Sequence, residues 1–84
     1  MVVLPEIEVH NILQELVPIY YHYNMLESIL HKTEIEQLEY VHVSLQLKKY
    51  LKILQEILPN TPASLQEQVE LYIRKLQRCF PFHS

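Results

Sequence analysis

Five histidines in 84 residues, His10, His22, His31, His42 and His83, are the first side chains to search for chemistry. A helical metal site sets two imidazoles three or four residues apart on one face, as in the H-E-x-x-H pattern. No two of these histidines are closer than nine residues, so a His-based metal or small-ligand site would have to be assembled from separate helices. Glu6 with His10, Glu27 with His31 and Glu39 with His42 instead have the spacing of ion pairs on a helix surface. A nucleophilic enzyme needs Cys or Ser beside a base. The single cysteine, Cys79, stands near the end of an amphipathic stretch, where a small buried hydrophobe is its common role, and His83 lies beyond Pro81. Glu34 and Glu36 sit at a helix start, where the dipole accounts for paired carboxylates. With no glycine at all, the backbone loops that cradle phosphates cannot be built. The expectation is a protein that is not an enzyme, with no catalytic residue, no cofactor and no metal.

The Ile19–Tyr23 stretch, Ile-Tyr-Tyr-His-Tyr, is the most distinctive local composition. Tyr20, Tyr21 and Tyr23 cannot all face one side of a helix, and tyrosine, with an apolar body and a polar tip, is enriched where protein surfaces meet. Leu26–Leu30 and Leu54–Leu58 each spell Leu-x-x-Ile-Leu, a string that docks into apolar grooves but also arises freely in any amphipathic helix.

Composition narrows the partners. Hydrophobic residues make up 49% and charged residues 20%, below the roughly 25% charged residues of ordinary soluble chains. A chain this short buries only roughly 60 to 65% of its unfolded surface, which leaves apolar surface for a partner. The net charge of −3 offers no footprint for a phosphate backbone, so no nucleic acid is expected. Neither is a membrane, since the longest uncharged run, Leu16 to Leu26, contains Pro18, His22 and Asn24 and falls far short of the roughly 20 residues of a span. The N-terminus has no basic region and one cysteine forms no intrachain disulfide, so an intracellular site, cytoplasmic or nuclear, is expected.

The elements that must position these residues read as helices. Thr33 and Glu36 have capping-box spacing, and Tyr40, Val43, Leu47, Tyr50, Leu54 and Ile57 then recur at steps of three and four up to Pro59, which predicts a long central helix over 33–58. Its first half is apolar on a second side through Ile35, Leu38, Val41 and Leu45, so that half is either sandwiched between elements or meets another chain. The alternation from Val41 to Lys48 also fits a strand, but nothing else in the chain alternates to pair with it. Pro5 suits a first helical position, with Val9, Ile12, Leu13 and Leu16 as a buried stripe. Pro18 then stops or kinks the helix, which gives segments 5–17 and 18–31, followed by a very short link at Lys32 and Thr33. Asn60 can supply the left-handed turn that glycine usually makes. Thr61 with Pro62 and Ser64 with Glu67 offer two competing starts for a last helix over 62–80, whose stripe is Leu65, Val69, Tyr72, Ile73, Leu76 and Phe80. The fold class is all-α, a small bundle of three to four helices in a single domain, 1–84.

From Tyr40 to Gln77 the chain resembles the second and third helices of BAG domains, through Leu47, Lys49, Leu51 and Leu54 and through Lys75, Leu76 and Gln77. The resemblance implies a three-helix module that binds the Hsp70 nucleotide-binding domain, with Gln77 among its polar contacts. It covers under half of the chain, and Gln55 and Val69 stand where that family carries an acidic residue and an arginine. The first expectation is therefore a helical interaction or oligomerisation domain that binds another protein or pairs as a homodimer, with Tyr20, Tyr21, Tyr23, Val41, Leu45, Phe80 and Phe82 as its partner surface. The co-chaperone-like module and the histidine site are the alternatives.

Overall fold

The computed structural model describes residues 3–80. They form three α-helices, α1 Glu6–Glu27, α2 Glu34–Ile57 and α3 Ala63–Cys79, with one 3-10 turn, Leu58–Asn60, between the last two. Late α1 meets early α2, as His22 faces Glu39, while early α1 meets late α2, as Glu15 faces Tyr50. Those two helices are therefore antiparallel. α3 runs back alongside α1, since Ser64 bonds Glu6 at its start and Phe80 meets Tyr23 at its end. The result is an up-down-up bundle in which α2 packs on both neighbours.

The core is what the helical stripes supply. Val9, Leu13, Leu16, Tyr23 and Leu26 of α1 pack on Val43, Leu47, Leu51 and Leu54 of α2 and on Val69, Ile73 and Leu76 of α3. Burying each such side chain contributes about 1.5 to 3 kcal/mol relative to leaving it exposed. The central helix starts where the sequence places it: Glu36 N–H donates to the Thr33 hydroxyl at 3.2 Å and Thr33 N–H to the Glu36 carboxylate at 2.9 Å. This reciprocal cap satisfies two amides that a helix start leaves without partners.

Four expectations are corrected. Pro18 neither ends nor splits the first helix, and the segments expected at 5–17 and 18–31 are one α-helix through Glu27. Pro18 lies on the solvent side, so the carbonyl of Gln14, which it cannot serve, is open to water, while the buried stripe carries the helix past it. That helix then stops earlier than periodicity implies. Ser28 caps it, and the link to α2 spans 28–33 instead of two residues, with Leu30 92% exposed and Lys32 Nζ donating to the Ile29 carbonyl at 3.1 Å.

Asn60 does not turn left-handed, for no described residue has positive φ. The chain leaves α2 by tightening into the 3-10 turn, closed by Thr61 N–H to the Leu58 carbonyl at 3.2 Å and by the Thr61 hydroxyl to the Ile57 carbonyl at 2.8 Å. Neither start for α3 holds as read: the helix begins one residue after the earlier signal, with Pro62 in place of Thr61 at the cap position, no side-chain cap bond, and Ala63 as its first residue. Ser64 donates instead to the Glu6 carboxylate at 2.9 Å, and Leu4 N–H bonds the Asn60 carbonyl at 2.8 Å. These two bonds tie the N-terminal end to the α2–α3 corner.

Candidate functional site

Two places collect the residues singled out by sequence. The first is the cleft between α1 and α3, about 350 Å³, lined by Tyr20, Tyr23, Asn24, Glu27, Lys75, Arg78 and Cys79. Its back wall is aromatic. Tyr23 stacks on Tyr40 with centroids 5.4 Å apart and meets Phe80 edge-on at 5.8 Å, while Tyr20 meets Tyr72 edge-on at 6.2 Å. Lys75 lies over both rings of the second pair, 5.0 Å from the Tyr72 centroid and 5.8 Å from that of Tyr20, within the reach of a cation–π contact.

Two polar groups of this cleft, the Tyr23 hydroxyl and the Glu27 carboxylate, are already engaged. The Tyr40 hydroxyl donates to the Glu27 carboxylate and lies 3.3 Å from the Tyr23 hydroxyl. Burial, and then the bond to Tyr40, holds the Tyr23 phenol above its ordinary value. The bond to Glu27 does the same for Tyr40. Burial, reinforced by the Glu27 charge, pushes the Cys79 thiol above 9.0.

The second place is the outer side of α2, which neither neighbour covers. Ile35 is 69% exposed, Leu38 71%, Val41 55% and Leu45 59%. They lie on the opposite side of α2 from Val43, Leu47 and Leu54, because a residue recurs on the same face every 3.6 positions. Glu34, Gln37, Leu38 and Val41 line a shallow depression on this side, about 350 Å³. Along it Glu34 stands at the N-terminal end and Lys49, Lys52 and then Glu56 toward the C-terminal end, while the half-buried Lys48 turns its ammonium to the Phe80 ring, 5.3 Å from the centroid.

The expected partner surface is thus divided. Tyr21, Val41 and Leu45 are exposed and Tyr20 is half-buried in the cleft wall, but Tyr23 and Phe80 are core residues of the chain's own bundle. Tyr23 faces α2 on the stripe of Leu16 and Leu26, and Phe80 folds under it as α3 ends. Phe82 lies outside the described residues, as does His83. Ile35 and Leu38 belong with Val41 and Leu45, and their signal is the second apolar side of the central helix.

The described histidines stay apart. His22 Nε2 lies 3.5 Å from Glu39, and His10, His31 and His42 are exposed. Among the described residues no three His, Cys, Asp or Glu side chains come together as a metal ligand set, and no helix is long and apolar enough to cross a membrane. Gln77, the polar position that resembles the BAG pattern, is exposed on α3 beside buried Leu76. No family model, no curated protein and no solved structure matches this chain.

Proposed function

We propose that this chain is a non-enzymatic helical interaction domain whose contact face is the outer side of α2. One observation carries the reading: Ile35, Leu38, Val41 and Leu45 are each more than half exposed on one side of one helix. Isolated apolar residues are ordinary on a protein surface, whereas a contiguous apolar stripe rimmed by charges marks an interaction site. The opposite side of the same helix is fully occupied by the core, so the stripe is not needed to hold the bundle together.

Site-specific photo-crosslinking in cells tests this. A benzophenone side chain in place of Leu38 is expected to give a discrete adduct, and the same probe in place of Gln68, exposed on α3, is expected to give none. Equal, diffuse labelling at both positions would remove the proposal.

A further inference from the structure

The open face of α2 has a pattern that specifies its own partner. Glu34, Leu38, Val41, Leu45, Lys48 and Lys52 follow one another at steps of four, three, four, three and four, the spacing of a coiled-coil seam. Read along the helix, the seam is one acid, three apolar residues and two bases. Glu34, Gln37, Leu38 and Val41, which line the depression on this face, stand at i, i+3, i+4 and i+7. That is the four-residue hole into which one side chain of a facing helix inserts.

Resting on the interaction-domain reading, we propose that the occupant of this face is a second copy of the chain, packed antiparallel about a two-fold axis that passes between Val41 and Leu45. Such an interface uses the same patch on both subunits, and this patch is self-complementary in one direction only. Antiparallel, Glu34 falls opposite the partner's Lys52, Leu38 opposite the partner's Lys48, and Val41 opposite the partner's Leu45, each contact occurring twice. Within its own chain the Lys48 ammonium lies over the Phe80 ring, 5.3 Å from its centroid, so it is the aliphatic stem of Lys48 that covers the partner's Leu38, and the acid–base pair across the seam is Glu34 with the partner's Lys52. Parallel packing would set Glu34 against Glu34, Lys48 against Lys48 and Lys52 against Lys52, and like charges across a seam are repulsive. Glu39, the acid on the adjoining side of α2, is turned to His22 of α1, away from the seam.

The size of the face sets the strength. Glu34 to Lys52 spans about 27 Å at 1.5 Å per residue, and a helix about 10 Å wide covers roughly 300 Å² in projection. That is less than the ~800 Å² per partner of a standard interface, so the dimer is a concentration-dependent equilibrium.

Sedimentation velocity from about 5 µM to about 500 µM, the range in which small interfaces dissociate, is expected to show monomer passing to dimer. Val41→Glu should leave a monomer with unchanged helical circular dichroism. Glu34→Lys or Lys52→Glu alone should weaken the dimer at least fivefold, and the two together should return it to within about twofold of the native value, because both pairs are rebuilt with reversed sign. Mixing Val41→Cys with Leu45→Cys chains, each also Cys79→Ser, should give the mixed disulfide in preference to either homodisulfide. A monomer at the highest concentration, a double charge reversal that weakens the dimer further, or homodisulfides in preference would each overturn the antiparallel dimer. The photo-crosslink separates this from the broader reading. An adduct of twice the chain mass supports both, an adduct of any other mass retains the interaction domain and removes the dimer, and no adduct removes both.

Discussion

The rings of Tyr23 and Tyr40 stack at 22° with their hydroxyls 3.3 Å apart, and the Tyr40 hydroxyl is bonded to Glu27. This chain of contacts joins the end of α1 to the start of α2 just where the non-helical 28–33 link separates the two helices. It closes the bundle at one end as the Tyr50 hydroxyl, 3.0 Å from Glu15, fastens the middle. Tyr40→Phe removes one donor and leaves both rings in place, so a loss of about 1 kcal/mol is expected, read as a lower midpoint in urea. An unchanged midpoint would show that the hydroxyl chain contributes nothing to stability.

The same phenols predict an alkaline limit. Tyr23, held up by burial, Tyr40, by its bond to Glu27, and Tyr50, by burial, all lie above their ordinary value of 10.0 in the folded chain. A folded pKa above the unfolded one means that the native state binds the proton more tightly. The stabilisation is therefore complete below the unfolded value and is lost as pH rises beyond it. The melting temperature should hold up to about pH 9 and fall between about pH 10 and 11, with a shallower fall in Tyr23→Phe. An equal slope in that variant would remove Tyr23 as a cause.

Thr33→Ala tests the cap of the central helix. The change removes the hydroxyl that accepts from Glu36 N–H and leaves the backbone N–H of residue 33 to donate to the Glu36 carboxylate, and is expected to cost about 1 kcal/mol. For a domain of this size that is roughly 4 to 8 °C in melting temperature. A shift below about 1 °C would mean that the start of α2 is fixed by packing alone.

Pro18→Ala should stabilise the protein. It restores an amide to an exposed helical position at which proline costs about 3 kcal/mol or less, and calorimetry should show a higher melting temperature. A lower one would mean that a bend at Pro18 is required by the packing of Leu16 and Tyr23.

Two leucines on the same helix separate fold from face. Leu47, 0% exposed, should cost about 2 to 5 kcal/mol when cut to alanine. Leu38, at 71%, should cost less than about 0.5 kcal/mol, measured at a concentration where the chain is monomeric. Comparable losses at both positions would mean that the outer side of α2 is part of the core after all.

Much of the bundle is legible in the sequence where the signal is local. The start of α2 is written in Thr33 and Glu36 alone, and the alternating steps from Tyr40 to Ile57 mark its buried side without reference to anything else. The course of α1 is not legible in this way. Whether a helix passes through Pro18 depends on the packing of residues on both sides of it, and Leu30 fits the periodicity yet lies beyond the end of the helix. Of the candidate surface, Val41 and Leu45 could be found because α2 is apolar on two sides. Which of those sides stays open is fixed only when α1 and α3 take their places. Tyr23 and Phe80 show the converse, since ring chemistry alone does not distinguish a side chain that meets a partner from one that closes the end of a bundle.

The described backbone contains no left-handed residue, and the chain contains no glycine. Every bend from Val3 to Phe80 is therefore sterically open to nearly all of the amino acids. Laboratory diversification of its loops has an unusually free hand, because tolerance at Ser28–Thr33 or Leu58–Pro62 is governed by side-chain contacts and by which amides are engaged, with no site reserved for the one achiral residue.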